Sequence, residues 1–331
     1  MKYFTQIVFF LSMLLITASC KKNYQTISGF TQGTTYQIKF SEDAQINQAE
    51  TDSILSLVDE TFSVYNTNSI ITKINENKEV GLNEPFIDLF KLSQRITKTT
   101  NNYFNLAVRP LVTYWGFGPE KRTEFDSTAV DSILQFCDFN LFQLQDNKIV
   151  KKDPRSQLDV NAIAQGYSVD MVVNYLELMK IENYLVEIGG EVRAKGINAK
   201  GQPWQVGIDK PVEGSDESNR ELQAIVSVSD FSLATSGSYR KFVEKDGVKY
   251  SHTINPNSGY PSHHNLLSVT ITAPECGEAD AVATAIMAMG MDKGKEFMQE
   301  NTQYEAYFIF SDEKGNYQTW MTKGFGKYLS E

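Results

Sequence analysis

The sequence predicts an α+β fold: a single mixed α/β body with a strand-rich C-terminal half. Three observations predict it. Apolar residues recur at helical spacing in long stretches of the first half. Short runs of β-branched and aromatic residues follow one another beyond residue 180. The two kinds of segment do not alternate in the regular β–α–β order of a doubly wound sheet. A hydrophobic fraction of 41% and an aromatic fraction of 12% are ample for a packed core.

The elements follow in chain order. Residues 1–19 read as a leader and residues 20–331 as one folded domain. Lys2 gives the leader a positive start, and Ile7 to Ile16 is an apolar run about half as long as a bilayer span requires. Thr17-Ala18-Ser19 then leads into Cys20, as in a lipoprotein signal, with Thr17 where leucine is usual. An ordinary cleaved signal with an incidental cysteine is the competing reading. Thr34 to Phe40 alternates like a half-buried strand, and Ala44 to Tyr65 carries Ile54, Leu57, Val58, Phe62 and Tyr65 at helical spacing. A second helix is predicted from Asn83 to Thr99, with Glu84 and Pro85 in its first turn and Phe86, Leu89, Phe90 and Ile96 on its apolar face. Trp115 to Ser127 reads as a glycine-bearing loop, and Ala162 to Met179 as a third helix. Strands are predicted at Tyr184 to Ile188, Trp204 to Ile208, Ala224 to Val228, Leu266 to Thr272 and Ala306 to Phe310. One helix interrupts them, Glu278 to Met289, closed by Gly290.

Net charge is −10, and no basic cluster exceeds Lys21-Lys22 or Lys151-Lys152, which disfavours nucleic acid as a partner. Cys137 and Cys276 lack metal-site spacing. Neither a Walker loop nor a dinucleotide-binding glycine fingerprint occurs. No Ser/His/Asp arrangement at motif spacing supports a hydrolase triad.

Three segments carry candidate chemistry. Asp280 and Thr284 stand one helical turn apart among small residues, offering a carboxylate and a hydroxyl to a hard cation such as Mg²⁺. The alternative is an acidic residue favoured by the helix dipole, with Thr284 packed in the core. Asp159, just before the third helix, reads by default as its N-cap. His252, one of three histidines, lies between a strand and a turn and is a general-base candidate.

In order, these segments resemble the ApbE-type FAD:protein FMN transferases over nearly the whole chain beyond Cys20. Gly29-Phe30-Thr31-Gln32-Gly33-Thr34-Thr35-Tyr36 looks like that family's G-x-T-M-G-T-x-Y, with Gln32 for methionine. Phe62-Ser63-Val64-Tyr65 and Ser69 to Asn75 are similar to its F-S-x-Y and S-x-[IL]-x-x-[IL]-N elements. Tyr103-Phe104-Asn105 falls at A-F-D, and Pro110-Leu111 through Trp115-Gly116-Phe117-Gly118 at P-L…W-G-F-G. Asp159 to Gly166 resembles D-L-G-[AG]-I-A-K-G with Gln165 for lysine. Gly189-Gly190-Glu191, Ala234 to Gly237, His252 to Gly259 (for H-x-x-D-P-x-T-G) and Ala279-Asp280 to Thr284 complete the series.

The resemblance implies a T-fold-like architecture and Mg²⁺ held by Asp280, Thr284 and the Ala162 carbonyl, with Ala283 adding its own. It implies FAD contacts at Gln32, Tyr65, Tyr103, Phe104, Asn105, Asp159, Gln165 and Ile254, and a proton-accepting role for His252. The implied partners are FAD, as substrate, and an acceptor flavoprotein subunit with a Thr or Ser flavinylation site. AMP is the implied leaving product. Lipidation at Cys20 would anchor the chain to the inner or outer membrane, facing the periplasm. Gln165, Asn105 and Asn255 depart from the family pattern by removing a cation and two carboxylates. Two other readings of the same residues are an FAD pyrophosphatase and a flavin-binding lipoprotein without turnover.

Overall fold

The computed structural model describes residues 23–41, 46–118, 127–212, 220–238, 242–245 and 248–330. The predicted leader, Cys20 and most of the predicted 115–127 loop lie outside them. Strands β1 (Tyr24–Thr31) and β2 (Thr34–Ser41) precede helices α1 (Gln48–Phe62), α2 (Ile70–Asn75), α3 (Glu84–Thr99), α4 (Arg109–Tyr114) and α5 (Val130–Leu134). A hairpin of β3 (Phe142–Gln145) and β4 (Lys148–Lys151) leads to α6 (Ala164–Leu178). Then come β5 (Tyr184–Ile188), β6 (Glu191–Lys195), β7 (Trp204–Asp209), β8 (Leu222–Val228), β9 (Phe231–Gly237), β10 (Phe242–Lys245), β11 (Val248–Ser251) and β12 (Leu266–Ala273). The chain closes with α7 (Cys276–Met289), α8 (Met291–Glu300), β13 (Glu305–Ser311) and β14 (Tyr317–Met321).

Eight strands form one sheet in the order β1-β2-β5-β6-β9-β12-β13-β14, every neighbour antiparallel. Side chains alternate across it with period two. Val186 and Ile188 face α6, where they meet Val169, Val172, Val173 and Leu176. Leu185 faces the other way, onto Trp204, Ile208, Val226 and Val228 of the β7–β8 hairpin. On β13, Ala306 and Phe308 join the cluster around α7, whereas Tyr307 and Ile309 join the hairpin side. The helix α7 is buried on nearly every side, so it is apolar all round and built of small residues that let neighbours approach. No helix among the described residues is long and apolar enough to cross a membrane.

The predicted strands are found at β2, β5, β7, β8, β12 and β13, and α3 starts from the predicted Asn83 cap, whose side chain accepts the Phe86 N–H. Three readings need correction. The first helix starts at Gln48, because the Asn47 side chain caps it by accepting the Glu50 N–H. A second C-terminal helix, α8, follows Gly290 directly; it is short and mostly polar, with Gly294 inside it, and buries only Gly294, Phe297 and Met298. Asp159 does not cap the third helix. That helix begins at Ala164 after a turn, and Ile163 occupies the cap position without a side-chain bond.

The pairing of α6 with α7 is fixed by a missing side chain. A Cβ at Gly166 would stand 2.4 Å from the Cys276 carbonyl oxygen and 2.8 Å from the Asp280 Cβ. Across the same contact, the buried Asp170 carboxylate accepts the Cys276 and Gly277 N–H groups at 2.9 and 2.8 Å and Arg193 Nη1 at 2.7 Å. It supplies α7 with the cap its own Glu275 does not.

Gly166→Ala should therefore cost about 1–3 kcal/mol or more of unfolding free energy, since the obstructing atoms are backbone and cannot rotate away. Gly81→Ala, where the added carbon meets nothing within 4 Å, serves as control. Equal denaturation midpoints for the two variants would refute the tight crossing.

Candidate functional site

Asp280 and Thr284 project from α7 on the side that meets the start of α6. Asp280 is buried, and its Oδ2 accepts the Gly166 N–H at 3.2 Å. In a continuous helix that N–H would serve the carbonyl four residues earlier, at Ala162. Here it is diverted, and the Ala162 carbonyl accepts no hydrogen bond among the described residues. Burial pushes the Asp280 carboxyl up from its usual 3.8 to about 7, with the Gly166 N–H acting against the rise. Thr284 Oγ1 lies 3.0 Å from Ser236 Oγ on β9. A desolvated carboxylate, a hydroxyl and an orphaned carbonyl thus adjoin one helix crossing, an all-oxygen set that suits a hard divalent cation. Ala283 is fully buried in mid-helix, where its carbonyl belongs to the α7 ladder.

Beside this centre the side chain of Gln165 lies over Gly189. A Cβ there would come within 2.6 Å of its amide nitrogen, and the backbone φ of +66° at Gly189 further favours glycine. Gln32, in the β1–β2 turn with φ of 49°, donates from Nε2 to Ser168 Oγ at 2.6 Å on α6. The two glutamines therefore stand at the same end of α6 as Asp280.

Asp159 joins this group to a second one. Its backbone N–H donates to the Leu106 carbonyl at 2.7 Å. Its carboxylate accepts Arg109 Nη1 at 3.1 Å and the Asn161 N–H at 2.9 Å. Arg109 carried no motif signal in the sequence. The Asn75 side chain pairs with both backbone groups of Leu158, at 2.9 and 2.7 Å, which docks the Ser69 to Asn75 element beside Asp159. Tyr65, just before it, is 71% exposed, an aromatic face left to solvent.

The second group is built around the turn after His252. Trp115 donates from Nε1 to the Gly259 carbonyl at 2.8 Å, and Ile254 packs with Leu111, Tyr114, Trp115 and Cys137. Asn102 donates to Asn257 Oδ1 at 2.9 Å. Tyr103 takes a hydrogen bond from Lys293 on α8. Phe104 is fully buried in the core, and its N–H donates to Thr100 Oγ1 at 3.2 Å. Asn105 is buried too, with Nδ2 donating to the Cys137 carbonyl and to Asn102 Oδ1, both at 2.9 Å, and Oδ1 accepting the Ala107 N–H at 2.7 Å. Its amide serves the fold here. His252 follows β11 directly and is half-buried. The sequence reading missed Ser236 as a partner of Thr284, although it had singled out Ala234 to Gly237.

Comparison with known proteins gives a consistent picture. The family model described as the ApbE family matches residues 32–308. A FAD:protein FMN transferase of Vibrio cholerae is 34% identical, over 97% of this chain and 98% of its own. The FAD:protein FMN transferase of Haemophilus influenzae is also 34% identical, over 92% of each chain. Among solved structures, the flavin transferase ApbE from Vibrio cholerae superposes with a TM-score of 0.82 at 32% identity, covering 93% of this chain and all of that one. The Pseudomonas stutzeri flavinyl transferase ApbE, apo form, gives 0.81 at 29% identity, covering 93% and 97%.

The displaced Asp280 carboxyl makes stability depend on pH. Between about 4 and about 7 the folded, metal-free chain keeps a proton that the unfolded chain releases, so stability falls as pH rises through that window. Asp280→Asn keeps the acceptor for Gly166 and loses the titration. It should match the parent at about pH 4 and exceed it at about pH 8 by a few kcal/mol, at about 1.4 kcal/mol per tenfold change in proton affinity. A parent as stable as the variant at the higher pH without metal would contradict the buried, unpaired carboxylate.

Proposed function

We propose a reaction for this chain from the premise that it belongs to the ApbE family: it is a transferase that moves FMN from FAD onto a protein. The acceptor atom is a Thr or Ser hydroxyl of an exported or membrane redox protein, and AMP is released. The single observation that carries this reading is the all-oxygen set of Asp280, Thr284 and the orphaned Ala162 carbonyl at the α6–α7 crossing.

Those three groups would hold Mg²⁺, whose chemistry is to neutralise pyrophosphate charge and favour in-line displacement at phosphorus. The remaining work falls to the chain's own side chains. Gln32 and Gln165 offer neutral amides, and Tyr65 offers an exposed ring suited to stacking on a flat heterocycle. Asp159, held by Arg109 and Asn161, fixes the turn that presents the Ala162 carbonyl. Tyr103 and Ile254 border the His252 side of the site. His252 takes the proton of the attacking hydroxyl as a new P–O bond forms to the FMN phosphorus and the bond to the AMP phosphate breaks. Proximity and orientation of a docked hydroxyl are worth about 7–11 kcal/mol, enough to favour it over bulk water.

The chain itself is proposed to be a lipoprotein that begins at Cys20 and works on the periplasmic side of a membrane. Cys20→Ser should move it from the membrane fraction to the soluble one; a variant that still sediments with membranes would put the anchor elsewhere.

For the reaction, FAD turnover should be slow alone and rise when an exported acceptor flavoprotein is added. The acceptor should gain the mass of FMN less water on one Thr or Ser, with AMP in equal amount. His252→Ala should lower kcat by about 10²–10⁴-fold while changing FAD affinity little, because a general base acts in the transition state. Rapid release of FMN and AMP without acceptor, and no mass gain with it, would favour hydrolysis.

A further inference from the structure

A groove of about 1140 Å³ opens between α3 and the strand β3 and reaches the Asn101–Asn102 turn. Its size exceeds the ~300–1,000 Å³ usual for small-molecule pockets. One wall is a polar face of α3, where Lys91, Gln94 and Lys98 stand at spacings of three and four. The other wall carries Gln143, Gln145 and Lys152. None of the three lysines forms an ion pair among the described residues. The single carboxylate on the rim, Asp138, is engaged locally by the Asn140 N–H at 2.8 Å. A chain of net charge −10 thus gathers three unpaired cations around one groove and lines the space between them with side-chain amides.

We propose that this groove docks an extended, acidic segment of the acceptor protein, a reading that rests on the transferase function above. Cations match the segment's carboxylates, and glutamine and asparagine amides match the alternating N–H and C=O groups of an extended backbone. The end wall points the segment toward the chemistry. Asn102 donates to Asn257 Oδ1 at 2.9 Å, and Asn257 donates to the Asn101 carbonyl at 3.3 Å, so the groove and the turn that follows His252 share one hydrogen-bonded ridge. A segment lying in the groove continues over that ridge to place a hydroxyl near His252. None of Asp280, Gln32 and Gln165 lines the groove, so the proposal leaves FAD to the Asp280 side.

The test is binding, so that it stands apart from turnover. A short fluorescein-labelled peptide of aspartates flanking one threonine, and its twin with lysines, are titrated with the full chain by anisotropy. FAD binding is followed by flavin fluorescence. The acidic peptide should bind, the lysine twin should not, and salt should weaken the complex. The combined Lys91→Glu, Lys98→Glu and Lys152→Glu variant should lose peptide affinity by roughly tenfold or more with FAD affinity unchanged. Since these residues are exposed, circular dichroism should show an intact fold. Equal peptide affinity for parent and variant would overturn the proposal, as would a parallel loss of FAD affinity, which would give the groove to the flavin substrate. FMN transfer to an acceptor flavoprotein, followed separately by intact mass, tests the transferase reading; its absence with peptide binding intact would remove that reading and leave the surface standing.

Discussion

Residue 166 has no side chain, and the space where one would stand is taken by the Cys276 carbonyl and the Asp280 Cβ. That contact sets how close α6 and α7 come, and the site follows from it. Close approach lets the Gly166 N–H reach Asp280 instead of Ala162, which buries a carboxylate and strands a carbonyl in one step. The same approach brings Asp170 onto the first N–H groups of α7. Arg193, from β6, completes that cap, so sheet, α6 and α7 are joined through one buried carboxylate. Removing one partner of such a pair leaves an uncompensated buried charge, which typically costs about 3–5 kcal/mol. The chain tolerates the cost of burying Asp280 because the two helices are clamped from both ends of the contact.

Sequence reading succeeded where local signals agreed. For α3, an Asn cap, an acidic first turn, a proline at the start and an apolar stripe all pointed to one helix, and the structure has it. It failed where an element draws its order from neighbours. The strand β1 is an edge strand with mostly exposed or half-buried side chains, so its alternation is faint, and pairing with β2 orders it. Asp159 looked like a cap because it precedes a helix. The turn from Val160 to Ile163 separates them, and the carboxylate instead pairs with Arg109, fifty residues earlier. No spacing rule links those two positions. For the site, the Asp280 and Thr284 pair was visible at helical spacing, while the unsatisfied carbonyl of Ala162 becomes visible only when the Gly166 N–H is seen to point elsewhere.

The departures from the family pattern divide on physical grounds. At position 105 the side chain donates to the Cys137 carbonyl, a bond that an ionised carboxylate could not make, so the amide adds a tie between two segments of this chain. At position 255 the side chain accepts the Asn257 N–H, a role that Asn and Asp fill equally well. Gln165 keeps its place over Gly189 without a charge, which leaves compensation of substrate phosphates to the metal site proposed at Asp280.

One helix crossing is proposed to assemble a hard-cation site from a carboxylate, a hydroxyl and a diverted backbone carbonyl. Mn²⁺, a close chemical stand-in for Mg²⁺, scatters anomalously and reports position directly. Crystals grown with Mn²⁺ and ADP, which carries the pyrophosphate without the flavin, should show one strong anomalous peak bonded to Asp280, Thr284 and the Ala162 carbonyl, with the pyrophosphate against it. A peak bound elsewhere, or an Ala162 carbonyl turned back into the α6 ladder with no metal beside Asp280, would contradict it.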